Sequence, residues 1–169
     1  MFKRLALFAA TAVVAATVAG VSPAAAESAS TALACSGTSC NGKNPNTEGC
    51  SATGTPRELF LHSGRYTLQL RDGAGCRAFW GRIVRDDCDL IQGFAHLRVQ
   101  RRQWTTYGWY TTHTYYRIQS SVPCNGGVGY TSMVGNANDD NFRACHSGYI
   151  TASAPSTIPE SAWTCTSWY

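Results

Sequence analysis

The chain has 169 residues, with 14 Lys and Arg against 10 Asp and Glu. Two of those bases, Lys3 and Arg4, belong to an N-terminal export segment. The rest of the chain is therefore only mildly basic, too weak a balance to argue for nucleic acid. All 8 cysteines lie beyond that segment, and an even set of thiols in a short exported domain reads as a disulfide framework.

Residues 1–26 have the three parts of a secretion signal. Lys3 and Arg4 are the positive start, Leu5 to Val21 is almost wholly apolar, and Ala24-Ala25-Ala26 supplies small residues for cleavage after Ala26. The apolar run is shorter than the ~20 residues that span a bilayer. No later stretch is apolar enough to cross a membrane, so the mature chain is expected to be extracellular with no transmembrane segment. Residues 27–34 are small and polar, a flexible lead-in. A single Cys-rich domain then occupies 35–169.

Cys35 to Cys50 is dominated by Gly, Asn, Pro and Ser, which predicts turns fastened by Cys35, Cys40 and Cys50. Tyr66 to Arg71 alternates apolar and polar residues and predicts a strand. Asp72 to Gly75 turns it into a second strand, Cys76 to Val84, forming a hairpin. A polar connection covers 85–93. Phe94 to Trp104 and Thr111 to Ser120 form two further strands around Tyr107-Gly108-Trp109. Pro123 to Gly127 is a turn, and Tyr130 to Val134 and Asn141 to Cys145 are short strands. The aromatic end, Trp163 to Tyr169, is expected to be docked rather than free. The fold expected is all-β or mostly β, a small disulfide-stabilised barrel or sandwich with a Cys-rich N-terminal loop.

Three blocks resemble one family. They are Cys35…Cys40-Asn-Gly-Lys-Asn-Pro45…Gly49-Cys50, then Leu68-Gln-Leu-Arg71…Cys76-Arg-Ala-Phe-Trp80-Gly-Arg82-Ile83, then Tyr130-Thr-Ser-Met-Val134…Arg143-Ala-Cys145…Trp163 to Tyr169. Together they resemble the small secreted actinobacterial proteins labelled domain of unknown function 2690. After Leu70-Arg71 that family usually continues Tyr-Ser, whereas this chain has Asp72-Gly73. The resemblance implies a secreted, disulfide-bonded module and no particular activity.

The residues exclude more chemistry than they suggest. The cysteine spacings do not match zinc ribbons or fingers, so no metal and no cofactor is expected. Cys76 follows Gly73-Ala-Gly75, but His62, His96, His113 and His146 are scattered and supply no placeable base. Gly-x-Ser-x-Gly is absent. Asp86, Asp87 and Asp89 read as solvated turn residues. Asn136, Asn138 and Asp140 alternate like calcium ligands but lack the glycine that such a loop needs. Spacing leaves the pairing of Cys35, Cys40, Cys50, Cys76, Cys88, Cys124, Cys145 and Cys165 open. Local geometry favours Cys145 with Cys165 and some pairing within Cys35 to Cys50.

The most suggestive stretch is 97–110. As a strand, Leu97, Val99, Arg101 and Gln103 share one face, and Arg98, Gln100, Arg102 and Trp104 the other, which is expected to face solvent. Trp104, Tyr107, Trp109 and Tyr110 beside Arg98 and Arg102 suit the apolar faces and hydroxyl edges of sugars, or anionic glycans. The reading is a secreted non-catalytic module binding a cell-wall or extracellular glycan. The alternatives are an interaction protein (a toxin, or an inhibitor of a secreted enzyme) and, third, a hydrolase.

Overall fold

In the computed structural model, residues 33–61, 65–85, 95–119, 126–136, 140–148 and 154–169 are described. The signal 1–26, most of the lead-in, the connection 86–94, His62, Cys88, Cys124, Asn138 and Asp139 lie outside them. Two antiparallel sheets face each other, and neither closes into a barrel. The first contains β1 (Gly54–Leu61), β2 (Tyr66–Gly73), β3 (Ala78–Arg85), β6 (Gly127–Tyr130) and β7 (Val134–Gly135), with β1-β2-β3-β6 in order and β7 also on β3. The second runs β5-β4-β8-β9, from β4 (Ala95–Thr105), β5 (Gly108–Gln119), β8 (Asn141–Ser147) and β9 (Thr164–Cys165).

Alternation builds the core. Leu68, Leu70, Phe79 and Ile83 of the first sheet meet Leu97, Val99, Phe142 and Ala144 of the second. Phe79 stacks on Phe142 with ring centroids 4.1 Å apart. Gly81 faces this interface, and a Cβ there would already touch Ala144, the Arg98 carbonyl and Thr131 at 3.4 Å. The sheets therefore approach closely where β3 has no side chain.

The β2–β3 hairpin is present, paired from Tyr66↔Arg85 to Gly73↔Ala78. Its strands are shifted slightly from the expected bounds: β2 includes Asp72 and Gly73, and the turn is Ala74 to Arg77. The expected strand Tyr130 to Val134 is instead split. Thr131 to Met133 leave the ladder between β6 and β7: the Gly81 amide donates to the Thr131 hydroxyl instead of a backbone carbonyl, and the Met133 amide donates to the Lys43 carbonyl of the N-terminal loop. Strand β1 had no sequence signal. Pro56 and a register shift between Gly54 and Arg57 interrupt its alternation, and proline is tolerated there because β1 is an edge strand.

Two devices close the ends. The N-terminal segment forms a 3-10 turn, Gly37–Cys40, then further turns to Cys50. It is held by Cys35–Cys40 and Cys50–Cys76 and packs with Trp80 and Met133 into a second core. A Cβ on Gly135 would lie 1.9 Å from the Gly37 carbonyl oxygen, so backbone meets backbone at this seam. At the other end Cys145–Cys165 ties β8 to β9. The Tyr169 amide and carbonyl then pair with Phe142, at 2.9 and 3.0 Å, docking the C-terminus as expected. Of the favoured pairings, Cys145–Cys165 and one bridge within 35–50 are found, while Cys50 reaches out to Cys76.

Candidate binding site

Strands β4 and β5 form a hairpin longer than the sandwich needs, paired from Ala95↔Gln119 to Thr105↔Gly108. Gly108 closes it at φ 111°, a conformation glycine adopts without strain. The Thr105 hydroxyl donates to the Gly108 carbonyl at 2.9 Å and accepts from the Tyr107 amide at 3.3 Å. Trp104 and Trp109 pair across the strands edge to face, 5.4 Å apart. Opposite Arg101 and Arg102 the register slips, leaving Thr112 as an extra residue on β5. Such a bulge bends and twists its strand.

The tip beyond this bulge is aromatic and open. Tyr107 is 100% exposed, Tyr110 70%, Trp104 65% and Trp109 43%. Trp104 and Trp109 share one face of the hairpin, while Tyr110, opposite Gln103, takes the other, so exposed rings flank the tip on both faces.

The arginines divide. Arg98 is not on an open face: it is 3% exposed. Its Nη1 donates to Glu160 at 2.7 Å and its Nη2 to the other Glu160 oxygen, and its guanidinium lies 4.3 Å over the Trp163 ring. Gln100 is buried as well. On the expected solvent face of β4, Glu160 and Trp163 cover Arg98, and the Arg143 side chain donates to Gln100 at 2.8 Å; no local pattern in β4 signals this cover. Arg102 is different. It lies between Trp109 and Trp168, 4.4 and 4.2 Å from the ring centres, and among the described residues donates to Asn141. Its stacking on Trp109, which pairs with Trp104, places its guanidinium beside the aromatic tip.

These contacts form one ladder. Trp109, Arg102, Trp168 and Arg143 alternate ring and guanidinium, with Arg143 4.4 Å over Trp168. Glu160 joins Arg143, at 3.2 Å, to Arg98 and Trp163. Each such cation–π contact contributes ~0.5–1 kcal/mol when exposed and ~2 when desolvated. The hydrogen bond from Arg98 holds Glu160 below the usual carboxylate range, against its own desolvation. Nothing local in the sequence marks Arg143, Glu160, Trp163 and Trp168 as site residues. Their one signal is the aromatic terminus, legible as docked but not as docked on arginines.

Several other chemistry-bearing groups among the described residues are buried or bonded within the fold. Cys76 is bridged to Cys50, so it offers no thiolate. The sulfurs of Cys35, Cys40, Cys50 and Cys76 lie within 4.8 Å of one another, despite spacings unlike those of zinc motifs; as two disulfides they are not metal ligands. Asp140, the last residue of the calcium-like run, is buried and lies 3.6 Å from Arg101. Arg101 also donates to the Gly135 carbonyl at 2.7 Å and approaches Nδ1 of His113 at 2.8 Å. His96 and His146 are buried in β4 and β8.

No family model, curated protein or solved structure matches this chain.

A concavity on the first sheet has no counterpart among the sequence-predicted sites. A cleft of 520 Å³ lies between the loop around Pro45 to Ala52 and the outer face of β2, β3 and β6. Arg71 and Arg82 line it with Trp80 and Tyr130. Their strand parity opposite Leu70 and Ile83 was readable in the sequence; the loop that makes the face concave was not.

Proposed function

We propose that the protein is a secreted, non-catalytic binding module that attaches to an extracellular or cell-envelope glycan through the β4–β5 tip. The carrying observation is the set of four exposed rings at the end of a hairpin whose stem is clamped by the Arg–Trp ladder. A hairpin held rigid loses little conformational entropy on binding, and its aromatic rings offer flat faces to sugars. Arg102 adds donors at its border for an anionic group. Three of the described carboxylates, Glu48, Asp140 and Glu160, face Lys or Arg within 4.0 Å. Three disulfides among the described residues agree with export, and the reading is consistent with the secreted family that the three blocks resemble.

The test is a pull-down on purified cell walls and insoluble polysaccharides. Tyr107→Ala with Tyr110→Ala should weaken binding about tenfold or more, the scale of losing ~1.4 kcal/mol, with the melting temperature unchanged. Retention unaffected by that pair would sink the reading. A second reading, an inhibitor or toxin, is favoured by Tyr107 alone, a projecting ring of the kind that fills a partner's pocket. It predicts a stable one-to-one complex with a secreted enzyme and no glycan retention.

A further inference from the structure

The two faces of the molecule treat their arginines differently. On the second sheet, rings and Glu160 absorb them. On the first, Arg71 and Arg82 lie on neighbouring strands and both donate to one atom, Gln69 Oε1, at 3.5 and 3.2 Å. Arg71 also donates to the Thr55 hydroxyl through the same nitrogen. Among the described residues no carboxylate comes within 4.0 Å of either guanidinium. Glu58 is the nearby acid, and it accepts from Gln69 Nε2 at 2.7 Å. Burial, then the charge of Arg82, hold Arg71 below its ordinary value, with Glu58 opposing. Two cations therefore converge with most of their N–H groups unspent.

The cavity that they line has a built wall. Asn46 Nδ2 donates to the Tyr130 hydroxyl at 2.6 Å, spanning from loop to sheet. Cys50–Cys76 anchors the end of that loop, and the Cys50 amide donates to the Pro45 carbonyl at 2.8 Å. Its volume of 520 Å³ falls within the range of small-ligand sites.

We propose that this cleft binds an acidic saccharide unit, with Arg71 and Arg82 clamping its carboxylate or phosphate and Tyr130 and Asn46 contacting the ring. Arginine forks match both oxyanions in bidentate geometry, and an anion between them relieves their mutual repulsion. The site is separate from the aromatic tip and does not depend on it.

Calorimetric titration of the full mature chain, disulfides intact, tests this with D-glucuronate, glucose 6-phosphate, glucose and inorganic phosphate. At least one charged sugar should bind, glucose should not, and the affinity should fall steeply with salt. Arg82→Gln should weaken the charged sugar tenfold or more, and Arg82→Lys less, since it keeps the charge but not the fork. Arg71→Gln reports on the same cleft should Arg82→Gln misfold. The titrations are repeated in Tyr107→Ala with Tyr110→Ala, which removes any contribution from the tip; the charged-sugar binding that remains, and that Arg82→Gln then weakens, belongs to the cleft. Failure of both charged sugars to bind, or equal binding of glucose, overturns the proposal. Inorganic phosphate binding as tightly as glucose 6-phosphate overturns its saccharide part.

Discussion

The clamp beneath the hairpin can be weighed by replacing one ring. Trp168 lies between Arg102 and Arg143, at 4.2 and 4.4 Å. Trp168→Leu keeps an apolar side chain but removes the π face from both guanidiniums. Both arginines are partly buried, and burial pushes both below their ordinary value. Each contact then lies near ~1 kcal/mol, between the exposed and desolvated extremes. The two together give about 2 kcal/mol, and the lost ring volume adds roughly 1 more. For a domain of this length 1 kcal/mol moves the melting point by about 3 °C, so a fall of about 6–9 °C is expected. Urea unfolding of the wild type, Trp168→Leu, Arg143→Met and the double variant isolates the pair. A coupling energy of about 1 kcal/mol is expected. A coupling indistinguishable from zero, within the ~0.3–0.5 kcal/mol over which independent sites add, would refute the ladder and leave Trp168 as ordinary packing.

The disulfides should differ in worth by the loops they close. Chain separations of 26, 20 and 5 residues for Cys50–Cys76, Cys145–Cys165 and Cys35–Cys40 correspond to about 3.5, 3.3 and 2 kcal/mol. Paired Cys→Ser variants in urea should rank in that order, and Cys35–Cys40 proving the costliest would contradict it. Stability should also fall on acidification in two stages. His113 is held below its usual 6.5, first by burial and then by Arg101, with Asp140 opposing. The unfolded chain therefore takes up that proton first, and stability present above about pH 6.5 is lost as pH falls toward the folded value. Glu160, depressed from 4.5 chiefly by Arg98, contributes stability above that value that is lost as pH falls further. Unfolding measured from pH 7.5 to 3 should lose the first limb in His113→Gln and the second in Glu160→Gln.

Much of the sandwich was legible locally. Leu68 and Leu70, or Leu97 and Val99, show their inward face through alternation, which survives wherever a strand has one side buried. Cys145 and Cys165 were close enough in sequence for their bridge to be favoured. Strand β1 was not legible, because Pro56 and its register shift break the alternation. The split at Thr131 to Met133 was hidden too, since the Thr131 hydroxyl takes the Gly81 amide and the Met133 amide turns to Lys43, both far away in the chain.

The binding residues show the same division. Composition and pattern by themselves determined a β domain framed by disulfides, with aromatic residues gathered around Tyr107. The role of each arginine was decided only by tertiary structure. Arg98 and Arg102 occupy equivalent parity on one strand, yet Glu160 and Trp163 bury the first, while the second borders the open tip. Arg71 and Arg82 line a cleft only because Cys50–Cys76 pins a loop across their sheet. Alternation specifies which face a side chain takes. It carries no information about what distant segment covers that face, and coverage separates a structural guanidinium from one with donors to spare.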